Sequence, residues 1–414
     1  MIKFNFNVQR FASIITLSGG DDYYTNNLNN TVIYALNGKD TIYNAYNNVS
    51  LDGGYGDDYI TSTGNYSVLL GYYGNDSIYN YGSYSWILGQ DGNDYLASFE
   101  KNSTNVTLDG GAGNDTITAW GNNNFIYDVD GDNSLSAGQP PYGSGSNNTI
   151  YSGSGKDTIY SYGVKASIIS GAGNDYVTSA YRADNTTIDS GAGNDDIYSW
   201  ADNNVVASGI GNDYIFTRGN YSTILSGEGD DIIENWAGYS KTYGGAGNDT
   251  IYLNGNDELY YFDNDDVNKT LWNMDGVVTM HGGGANTVAA GEGDDVISLS
   301  SGASLNVIQY KSGDGNDIIY GFGEDETLDI VSGTITNAVA SGNDFIFTVD
   351  SGTITLKDVY GKVLTLRLAD GSISTLDAEI PLWRINGTIS TFGTTHNTII
   401  KVAPLAPVPD WAPS

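Results

Sequence analysis

An eight-residue pattern, Gly-Gly-x-Gly-Asn/Asp-Asp-x-aliphatic, returns along most of this chain at an interval close to 18 residues, and no other feature restricts its folding so tightly. Residues 170–178, Ser-Gly-Ala-Gly-Asn-Asp-Tyr-Val-Thr, are a typical copy. Its sixth position is aspartate at Asp22, Asp40, Asp58, Asp76, Asp94, Asp115, Asp157, Asp175, Asp195, Asp213, Asp231, Asp249, Asp295 and Asp317. A fixed short period marks a solenoid, in which each coil buries its core against its neighbours. The fourth position is glycine in every copy, from Gly20 to Gly315, as required where the backbone takes positive φ or passes close to another group. The eighth is aliphatic except at Tyr24, which predicts one inward side chain per short strand. The expected class is all-β, with turn and strand alternating.

Each coil has two nine-residue halves. The second keeps an inward aliphatic residue (Leu51, Leu69, Ile87, Ile126, Val206, Ile224) but carries Asn, Ser or Thr where the aspartate would stand. Neutral amides and hydroxyls are poorer ligands than carboxylates for a hard dication. Metal is therefore expected along one edge only, the other being closed by Asn/Ser/Thr hydrogen bonding. Coils lengthen at 98–109 and 179–189, both in the metal-free half, where loops grow at little cost.

The pattern resembles the RTX (repeats-in-toxin, haemolysin-type calcium-binding) nonapeptide, over about residues 17–325. The resemblance implies a right-handed parallel β-roll in which turn carbonyls and the fourteen aspartates hold multiple calcium ions between successive coils. It also implies export by a one-step exporter that reads an uncleaved C-terminal signal. This array departs from RTX arrays that carry aspartate in every nonapeptide, so a second metal column is not expected. Lys39 and Lys156 precede Asp40 and Asp157 and reduce the local negative potential, while Asp22 and Asp295 adjoin irregular coils.

The charge fits a cation partner. Asp plus Glu number 50 against 16 Lys plus Arg, a net charge of -34, which argues against nucleic acid or anionic lipid as partners. One calcium per repeat would offset most of it. There is no cysteine, so an oxidising compartment offers no disulfide brace. Residues 1–18 lack a cationic segment followed by an apolar run, and no stretch of about 18 apolar residues would span a bilayer.

Four regions are expected: a capping strand at 1–16, calcium-binding coils at 17–320 with insertions near 137–148 and 253–289, a β-rich cap at 321–378, and an extended tail at 379–414 where a secretion signal would reside. Runs at 344–350, 353–359 and 362–369 read as antiparallel hairpins. Residues 128–136 keep Gly131 and Leu135 in register, with Asn133 in the aspartate slot. Residues 128–139 also match part of an EF-hand loop, but Asn133 replaces its turn glycine and Gln139 its bidentate Glu, so a roll coil is the better reading. Tyr81, Phe99, Trp120, Tyr162, Trp200 and Trp236 share one position and form either a shield over a corner or, less well supported, a platform for sugars.

Enzyme signatures are scarce. His281 and His396 are the only histidines, with no His-Glu-x-x-His and no Gly-x-Ser-x-Gly. The expectation is a non-enzymatic, extracellular or surface-associated calcium-binding module, structural or adhesive, with a glycan or cell-surface partner. A carbohydrate-binding module is the alternative and a polysaccharide-modifying enzyme the weakest reading.

Overall fold

The computed structural model describes residues 13–100, 103–140, 145–237, 240–245, 250–253, 294 and 306–377, together with short strands at 259–261, 270–272, 277–280, 287–289, 296–299 and 398–399. The chain divides into two compact units, residues 1–214 and 215–414. Every described element is a strand or a turn.

In the first unit the chain alternates between two parallel sheets. One holds Ser13–Thr16, Thr31–Tyr34, Ser50–Tyr55, Val68–Tyr73, Trp86–Asp91 and their successors to Val205–Ile210. The other holds Tyr23–Asn26, Thr41–Asn44, Tyr59–Ser62, Ser77–Asn80 and their successors to Asp196–Ser199. Neighbours within a sheet are one coil apart, so identical repeat positions fall in register. Ile42, Ile60, Ile78, Leu96 and Ile117 stack in one file, and Ile33, Leu51, Leu69, Ile87 and Leu108 in the other. All ten are fully buried. Burying each such side chain is worth about 1.5–3 kcal/mol, and the period of two in a strand sends its neighbours outward.

The two edges turn differently. Between a six-residue and a four-residue strand lies the Gly-Asn/Asp-Asp turn, where Gly56, Gly74 and Gly92 have φ of 127°, 129° and 144°. A β-carbon on Gly74 would strike the Gly56 carbonyl one coil earlier, so nothing larger than glycine fits. The opposite edge passes through one left-handed residue per coil, usually Asn (Asn30, Asn48, Asn105, Asn123) but also Tyr66 and Tyr84. An amide ladder closes that edge as expected: Asn47, Asn65 and Ser83 donate backbone N–H to Asn29, Asn47 and Asn65 Oδ1 at 2.7–2.8 Å. Inside it, Asn26 Nδ2 donates to Asn44 Oδ1 and Asn44 Nδ2 to Ser62 Oγ.

The outer face of the second sheet alternates large with small. Tyr23 lies beside Thr41, Tyr43 beside Thr25 and Thr61, Tyr59 beside Thr41 and Ser77, and Tyr79 beside Thr61 and Ala97. The rings therefore zigzag, each meeting the next diagonally at 5.3–6.1 Å between centroids from Tyr23 to Tyr95. The same alternation resumes at Tyr160, Tyr176 and Tyr198.

In the second unit, Thr223–Glu228, Lys241–Tyr243 and Leu259–Tyr261 pair in parallel. Ile232–Asn235, Thr250–Leu253, Thr270–Trp272, Thr287–Ala289, Val307–Tyr310 and Thr327–Ile330 form another parallel run. Strands thus occupy much of the stretch 253–289. A third sheet runs through Val277–Met280, Val296–Leu299, Asn316–Tyr320 and Gly352–Leu356. It ends in antiparallel Asp344–Val349 and Ile335–Ser341, so the expected hairpin between 344–350 and 353–359 is present. The 362–369 run does not continue it. Val363–Arg367 crosses instead to lie beside Thr327–Ile330, because Leu366 there extends the aliphatic file of Ile308 and Leu328.

Candidate metal centre

The repeat aspartate opens each four-residue strand, at the inner corner of the glycine turn. Asp40, Asp58, Asp76, Asp94, Asp115, Asp157, Asp175, Asp195, Asp213 and Asp231 are all at most 2% exposed. One oxygen of each is fixed by the coil before: Oδ1 of Asp40, Asp58, Asp76, Asp94 and Asp115 accepts the backbone N–H of Asp22, Asp40, Asp58, Asp76 and Asp94 at 2.7–2.8 Å. The residue before the aspartate is linked in the opposite sense. Asn75, Asn93 and Asn114 donate N–H to the side-chain oxygens of Asp57, Asn75 and Asn93, one coil back.

The second carboxylate oxygen is the chemically active one. Oδ2 of Asp40, Asp58, Asp76, Asp94, Asp115, Asp157, Asp175 and Asp195 is buried and accepts no hydrogen bond. In coils whose first position is glycine it fills the place where that residue would carry a β-carbon, Gly53 for Asp58 and Gly71 for Asp76. Loss of water pushes Asp58, Asp94 and Asp195 up to about 7, and Asp76 and Asp157 up to about 6. Asp40, Asp115 and Asp175 are raised for the same reason. Near neutral pH such a carboxylate needs a proton or a cation.

Asn133 is an internal control. Its Oδ1 accepts Asp115 N–H at 2.8 Å, as an aspartate would, while its Nδ2 donates to the carbonyls of Asp130 and Gly131 at 3.4 and 3.2 Å. An aspartate in this slot turns a lone pair toward those carbonyls. The amide supplies positive hydrogens where the other coils set oxygen against oxygen. Calcium takes about six to eight oxygen ligands from carboxylates and main-chain carbonyls, and the donor set fits it. Among the described residues no three His, Cys, Asp or Glu side chains converge as a metal cluster, so carbonyls must complete the shell.

Not every expected residue shares this environment. Asp22 is half-buried, and its Oδ2 is taken by Ser18 N–H and Oγ at 2.8 and 2.9 Å. Asp317 is buried but sits inside a strand, paired with Ile354. Asp249 and Asp295 lie outside the described residues. Lys39 reaches across to Asp57 at 2.5 Å.

Asp128, which the sequence offers only as the first position of the EF-hand alternative, is fully buried with its Oδ2 unpaired with any N–H or hydroxyl donor. It occupies the first-glycine position of the coil whose sixth residue is Asn133, and that double exchange was its only signal as a ligand of the roll. The EF-hand alternative fails here. Ser134–Ala137 is a strand between Thr116–Ala119 and Thr158–Ser161. Of the aromatic residues, Phe99 and Trp120 pack at 4.8 Å, but Gly138 takes the position in the next coil, where the column breaks.

The family profile described as the RTX calcium-binding nonapeptide repeat matches residues 107–135, 142–163, 182–215, 243–266, 282–303 and 311–329. No curated protein matches the chain. The solved structure of the extracellular lipase LipA from Serratia marcescens is similar at 17% identity, over 43% of each chain, with a TM-score of 0.21.

Proposed function

We propose that this chain, six segments of which match the RTX calcium-binding nonapeptide repeat, is a secreted protein that binds several calcium ions and whose repeats fold on meeting extracellular calcium. The folded rungs then serve as a structural or adhesive module. The observation that carries this reading is the file of buried, unpartnered Oδ2 atoms at Asp40, Asp58, Asp76, Asp94, Asp115, Asp157, Asp175 and Asp195. The ligands proposed are the repeat aspartates from Asp40 to Asp231, with Asp249 and Asp295 assigned by their sequence position alone. Asp22 and Asp317 are weaker members, the first because Ser18 already holds its oxygen. Calcium supplies the positive charge each turn needs, while the chain's own residues orient carbonyls and exclude water.

Coupling to export follows from concentration. Sites of the extracellular kind bind at about 0.1–1 mM, so cytosolic calcium leaves the carboxylates to repel one another. Circular dichroism of the purified chain during calcium titration tests this. At neutral pH, β-signal is expected to develop between about 0.1 and 1 mM calcium and to vanish with chelator. A spectrum unchanged by exhaustive chelation would overturn it. An adhesive role requires that calcium-loaded chain retain cells or surfaces that chelated chain does not.

A further inference from the structure

We infer that Asp128, which lies outside the sixth-position file, joins Asp115 of that file in a calcium site built from two carboxylates. The two belong to successive turns. Asp115 is the sixth residue of its own, and Asp128 stands where the next turn would begin with glycine. Both are at most 1% exposed. Asp115 Oδ1 is spent on Asp94 N–H at 2.7 Å and Asp128 Oδ1 on Val129 N–H at 2.9 Å. Each leaves Oδ2 buried, with no partner but the facing carboxyl group. Both Oδ2 atoms reach the same point, the place where Gly110 would carry a β-carbon. No lysine or arginine forms an ion pair with either among the described residues.

This inference rests on the calcium reading above and adds a ligand that the repeat pattern does not contain. Its logic is compensation. Asn133 gives its coil an amide in the carboxylate slot, which would open a gap in the line of negative charge between Asp115 and Asp157. Asp128 restores that charge from the other end of the same turn. Two dry, converging carboxylates are stable only with a cation between them or a proton shared by them. An oxygen-seeking divalent ion satisfies both oxygens and the turn carbonyls together.

The test is native mass spectrometry of the full chain titrated with calcium alone. Asp128→Gly restores the residue that Gly53, Gly71 and Gly89 supply in other coils, and should fold. It is expected to bind one calcium fewer than wild type at saturation. Asp128→Asn, which can still accept from Val129 N–H, should also lose one ion if the glycine variant proves unstable. Unchanged stoichiometry in a folded variant would overturn the inference and identify the pair as a shared proton. Failure of wild type to bind any calcium would instead remove the reading on which it rests.

Discussion

At the scale of single residues, Asp and Asn at the sixth position are the same shape with opposite requirements. Both accept a backbone N–H through Oδ1, but only Asn can donate to the carbonyls beyond. Asp76→Asn should therefore lose one calcium at saturation yet fold at a lower calcium concentration than wild type, since an unsatisfied buried group costs about 1–3 kcal/mol. Native mass spectrometry at saturation and a calcium titration followed by circular dichroism check the two halves. The importance of the sixth position was legible from periodicity alone. Asp128 was not, because its meaning lies in a three-dimensional convergence on Gly110 from a turn that otherwise looks degenerate.

For turns and strands, sterics decides more than charge. Gly74 at φ 129° faces the Gly56 carbonyl, whereas Gly20 has no heavy atom within 4 Å of a built β-carbon and no positive φ. Gly74→Ala should destabilise by more than the roughly 1–3 kcal/mol of backbone strain, since it also collides with main chain. Gly20→Ala should stay within about 0.5 kcal/mol. Calcium-saturated unfolding midpoints measure both. The strands of the regular coils were readable because inward aliphatic residues such as Ile60 and Leu69 recur at fixed positions. The crossing of Val363–Arg367 was not readable, because short alternating runs fit either sheet and the stacking of Leu366 on Leu328 is a tertiary choice. Tyr66 and Tyr84 in the left-handed region were also hidden, since β-propensity places tyrosine in strands.

Across the molecule, protons and calcium compete for the same oxygens. Folded-state values near 6–7 for Asp58, Asp76, Asp94, Asp157 and Asp195 exceed the ordinary 3.8. In chelator, the stability linked to their protonation is full below the unfolded value and is lost as pH rises through 6 to 7. With calcium saturating, acidification through that window should instead release ions and weaken the fold. The β-signal between pH 4.5 and 8 should therefore slope in opposite directions in the two buffers; parallel slopes would exclude the linkage.

The zigzag of tyrosine and threonine has a consequence of parity. Each outward ring is seated over a small residue of the adjoining rung, so the array counts in pairs although its spelling counts in ones. Excising a single rung such as 41–58 would bring Tyr23 against Tyr59 in one row and Thr25 against Thr61 in the other. Excising two would restore the fit, so along this face the unit that can be gained or lost without a misfit is the doublet.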